Sequence, residues 1–118
     1  MNTMKTMLAV GLAAVVLTAT AAHAAPAPFV SEAAVTAAKT PAEHEAIAKA
    51  YDDEAASLKQ KSEVHGDMAK SNAGSGMKGP QMQINKHCKT IAKDYAAAAA
   101  ESAELATLQR KLAKDAAK

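Results

Sequence analysis

Cysteine, aromatic side chains and an excess of charge of either sign are scarce in this chain of 118 residues. A single cysteine, Cys88, excludes any disulfide within the chain. There is no tryptophan, and only Phe29, Tyr51 and Tyr95 are aromatic. So little bulk excludes a large enclosed core and a stacking platform for single-stranded nucleic acid. Fourteen basic residues stand against twelve acidic ones, which excludes a dedicated polyanion binder. Strand-like alternation is missing throughout, so the expectation is all-α. Catalytic patterns are missing too. No serine nucleophile has a matched base, and Gly74, Gly76 and Gly79 lack the spacing and strand context of a phosphate loop. His87 and Cys88 are adjacent on a helix and point about 100° apart, a poor geometry for proton transfer within the pair. No enzyme is expected.

The one long apolar run lies at the start. Lys5 precedes an apolar or small stretch from Leu8 to Ala22, and Ala22-His23-Ala24 provides small residues where a signal peptidase cuts. The run is shorter than the roughly 20 residues of a membrane span. Residues 1–24 therefore read as a signal peptide, with a periplasmic mature chain, no remaining membrane span and no lipid-anchoring cysteine.

Residues 25–39 form a proline-broken lead-in and a possible short helix capped by Ser31. Residues 40–118 carry the main body. Thr40, Pro41 and Glu43 make a capping box with proline at the first helical position. This predicts helix 41–71, a glycine-rich loop 72–80 and helix 81–116. Both helices show a seven-residue repeat. His44, Tyr51, Leu58 and His65 share one position in the first, and Ala48, Ala55, Ser62 and Ala69 another. In the second, Cys88, Tyr95, Ser102 and Gln109 share a position; Ile84, Ile91, Ala98, Leu105 and Leu112 are expected to complete the seam, with Ala92, Ala99, Ala106 and Ala113 on its flank. Such spacing marks helices packed along their length. The expected fold is an antiparallel, alanine-rich helical hairpin. A lone hairpin has little core, so pairing into a four-helix bundle as a homodimer, or docking on an envelope protein, is expected. The alternative cover is the short 31–39 helix.

Folding the chain back at residues 76–77 makes opposed residue numbers sum to about 153. His65 then faces Cys88, and His87, Met68, Met82 and Met77 lie near the same end. Thiolate, thioether and imidazole are the donors copper(I) prefers. A lone thiol outside the cytosol has a reason to persist if it holds a soft metal. The candidate metal set is His65, Cys88, Met68, His87 and Met82. The competing readings are plain seam packing, a disulfide across a dimer axis, a structural or interaction module of the envelope, and haem held by a histidine and a methionine. Covalent c-type attachment is excluded for lack of C-x-x-C-H, and the narrow seam disfavours a porphyrin. At the far end His44 faces Gln109 and is expected to be a solvated first-turn residue.

Ala42-Glu43-His44, Tyr51, Glu54-Ala55, His65, Met68-Ala69, His87-Cys88, Tyr95 and Leu105-Ala106 together resemble a group of small exported helical proteins of Gram-negative bacteria. The resemblance covers most of residues 42–113 and implies a helical fold and an envelope location, but no activity. Members of that group often carry histidine where this chain has Gln109, a departure that weakens any second site at His44.

Overall fold

A computed structural model describes residues 30–74 and 76–118. The signal-peptide reading falls on residues 1–24, outside them. Three helices follow in order: α1 (Glu32–Ala37), α2 (Pro41–Ser71) and α3 (Pro80–Ala116). No strand occurs among the described residues, and the fold is an all-α hairpin of two long helices.

The chain punctuates each helix locally. Thr40 Oγ1 accepts from the Glu43 amide at 3.3 Å, while Glu43 Oε2 accepts from the Lys39 and Thr40 amides at 2.8 and 2.9 Å. One amide of the first turn and the two that lead into it are thereby satisfied. These bonds, the Lys39 amide foremost, hold the Glu43 carboxyl below its ordinary range. Asn72 ends α2 by donating from its side chain to the Met68 carbonyl at 2.8 Å. α3 starts at Pro80, one residue earlier than 81, because proline suits a first turn whose amides are free. Gly79 before it has φ +60°, a conformation that costs other residues strain.

Cross-helix bonds fix the register. His44 Nδ1 donates to Gln109 Oε1 at 2.8 Å, and Ser62 Oγ donates to the Ala92 carbonyl at 2.7 Å. Asn85 Nδ2 donates to the Ala69 carbonyl. From these bonds two kinds of layer alternate along the seam. Small layers pair Ala48 with Ala106, Ala55 with Ala99, Ser62 with Ala92 and Ala69 with Asn85. Larger layers pair His44 with Gln109, Tyr51 with Ser102, Leu58 with Tyr95 and His65 with Cys88. Ala48 and Ala106 have no exposed surface at all. Small side chains let the two backbones approach, and each helix fills the other's groove.

The seam of α3 differs from the sequence expectation. Asn85, Ala106 and Ala113 are buried, whereas Ile84, Ile91, Leu105 and Leu112 keep 37–51% of their surface exposed. The alanine row, expected on the flank, is the seam, and the isoleucine–leucine row is the flank. Both rows stand three or four residues from Cys88, so spacing alone fits either. The alanine and serine row of α2 decides between them, because only small residues opposite it allow the close contact.

Two unlike flanks result. On one, Arg110 donates to Asp52 and lies 3.9 Å from Glu45. On the other, α3 presents its isoleucines and leucines. α1 packs on α2 alone, with Ala34, Ala37 and Ala38 forming a groove with Ile47. It leaves the α3 row uncovered, so the short helix is not the cover of that row. No helix among the described residues is long and apolar enough to cross a membrane.

Candidate functional site

The register set by the cross-helix bonds puts the backbones of His65 and Cys88 opposite each other in one layer near the loop, while the His65 ring reaches along the seam to Tyr95. The bonds Ser62–Ala92 and Asn85–Ala69 bracket this layer on either side. Cys88 is buried on the seam, with 8% of its surface exposed. Little of this residue meets solvent. His65 is half-buried, and its ring stacks on Tyr95 with centroids 5.8 Å apart and planes 27° apart. Lys61 Nζ lies 5.6 Å from the centre of the same tyrosine ring. Stacking fixes the imidazole plane, and Lys61 covers the outer side of the tyrosine.

The Nδ1 atom of His65 is buried and has no hydrogen-bond partner among the described residues. A buried polar nitrogen without a partner costs about 1–3 kcal/mol. His44, one end of the hairpin away, shows the ordinary solution: its Nδ1–H is taken by Gln109, and the residue is buried rather than solvated. A glutamine accepts that proton as readily as a second imidazole would, which makes the His44–Gln109 layer a satisfied polar pair with no ligand role left for Nδ1.

The other expected donors stand apart from the seam. Met68, three residues after His65, lies at the rim with 39% exposure, and Met82 is 54% exposed. His87 is exposed on the outer face of α3, and Met77 lies half-buried in the loop. Among the described residues no three His, Cys, Asp or Glu side chains gather into one group. The candidate donors are thus one thiol, one imidazole opposite it in the register, and the thioether of Met68, three residues along α2 from His65. That set suits a soft ion of low coordination number and not a four-coordinate zinc centre. An open groove of about 360 Å³ beside this layer is lined by Gly66, Ala69, Lys70, Ala73, Lys89 and Ala92, none of them a soft donor.

Tyr95 and Asn85 are the partners that the sequence reading assigned only to packing or passed over. Tyr95 stands seven residues after Cys88, the spacing that brings it beneath His65. Asn85 had no such signal, because its bond goes to a backbone carbonyl. Comparison of the chain with protein-family models, curated proteins and solved structures returned no match.

Proposed function

We propose that this protein is a periplasmic binder of a soft metal ion, copper(I), held by His65 and Cys88 with the Met68 thioether as third donor. The observation that carries this reading is the partnerless, buried Nδ1 of His65, a residue that the helix register sets opposite the buried Cys88. A ligand there satisfies the nitrogen and stabilises the thiolate. Copper(I) accepts this mixture of sulfur and nitrogen donors and tolerates three-fold coordination. Met82 and His87, exposed within two turns of Cys88, offer donors through which an ion reaches the seam by exchange. The role is that of a carrier or buffer of the ion in the envelope, and no bond is made or broken in a substrate.

An anaerobic copper(I) competition titration on the reduced, exported protein tests this. One tight equivalent is expected, lost in Cys88→Ser and in His65→Ala. Retention of full affinity in either variant overturns the reading. The exposed row of α3 favours a second role as an interaction module, which needs no metal and leaves Cys88→Ser without effect.

A further inference from the structure

The row Ile84, Ile91, Ala98, Leu105, Leu112 is apolar at every step of seven, and it is solvent-facing where the structure describes the single hairpin. Leu108 extends it at 50% exposure, and Val64 and Met68 of α2 border it. Isolated apolar residues on a surface need no explanation, but a continuous row of this length marks an interaction site. We infer that this face binds a second copy of the same chain, α3 against α3, antiparallel, about a two-fold axis at Ala98.

Three observations select that occupant. First, the row is symmetric about its centre. An antiparallel copy sets Ile84 against the partner's Leu112, Ile91 against the partner's Leu105, and Ala98 against itself. A two-fold interface needs this self-complementarity, and the small central residue lets the helices meet. Second, the size fits. From residue 84 to residue 112 the helix is about 42 Å long, and a strip one helix wide plus half its neighbour covers roughly 700 Å², close to the ~800 Å² per partner of a stable interface. Third, the segment available within the hairpin does not cover it, since α1 rests on α2 alone. The opposite flank carries Arg110, Asp52 and Glu45 and stays hydrated. The inference does not rest on metal binding; it applies equally to a chain without its thiol.

The test uses the full chain expressed with its own N-terminus and purified from the envelope. In a Cys88→Ser background, Ala98→Cys places the only thiol on the proposed axis, and Ala96→Cys places it on the hydrated flank. Mild air oxidation is expected to convert most of the first variant into a covalent dimer and to leave the second monomeric. Light scattering of the unmodified protein is expected to give twice the chain mass, falling to one chain in Ile91→Lys/Leu105→Lys with helicity unchanged. Three results overturn the inference: a monomeric parent protein, whether its row is bare or covered by residues 1–29; equal crosslinking at 96 and 98; or a dimer that survives the double lysine variant. If that variant loses its helicity, the comparison of positions 96 and 98 decides.

Discussion

Single residues do unequal work in this hairpin. Thr40 and Glu43 start α2, and their effect depends on charge. The folded-state pKa of Glu43 lies below its ordinary 4.5 because backbone amides donate to the carboxylate. A depressed carboxyl pKa gives stability that is present above the ordinary value and disappears as pH falls through the folded one. Acidification from about pH 5 to about pH 3 is therefore expected to fray the first turn of α2. Faster amide exchange at Lys39 and Thr40 reads this out. Glu43→Gln, which has no charge to lose, should flatten that pH dependence; an equally steep profile in the variant assigns the fraying elsewhere. The capping box was legible in the sequence because Thr40, Pro41 and Glu43 act within four residues of one another. His44 was not, because its burial depends on Gln109, far along the chain, supplying an acceptor. A polar residue in a first turn looks solvated until its distant partner is known.

At the scale of the helices, the seven-residue repeat gave the hairpin, its register and its polarity. It left open which neighbour of the Cys88 row completes the seam. Rows at 84 and 85 both alternate by three and four with that row, and hydrophobicity favoured the wrong one. Packing distance settled it: the small row of α2 demands a small row opposite. Replacing Ala106 by leucine should therefore force the backbones apart and cost about 1–3 kcal/mol, as overpacking does in close-packed interiors. Ala103→Leu, three residues away on the exposed face, should stay within about 0.5 kcal/mol. Urea titrations of both variants at one protein concentration make the comparison. Similar losses would mean that the helices are not in close contact at Ala106.

The whole molecule has a polar flank and an apolar one, and only the second is unfinished. For the proposed dimer, stability is expected to depend on concentration, because association stabilises the folded form by mass action. Each tenfold dilution removes about 1.4 kcal/mol from a dimer, so the melting temperature should fall on dilution. Ile91→Lys/Leu105→Lys should melt at a temperature independent of concentration. Added salt should change neither behaviour much, since the side chains of the polar flank's ion pairs are 43–55% exposed and the pairs contribute little. Melting curves across a hundredfold range of concentration check this, and a flat profile in the parent chain contradicts it. That a lone hairpin lacks core was legible in the sequence. Which face would be left open was not, because that followed from the seam choice.

The fixed register also orders events in time. The bonds across the hairpin join residues 16 apart at Asn85–Ala69, 30 apart at Ser62–Ala92 and 65 apart at His44–Gln109. Closing a short loop costs less entropy than closing a long one. Pairing therefore begins beside the glycine loop and zips outward, and the layer of His65 and Cys88 forms among the first. In any passage of the chain N-terminus first, that layer can assemble while the last two dozen residues are still in transit. The thiol is shielded early, before any passing oxidant has much time to reach it.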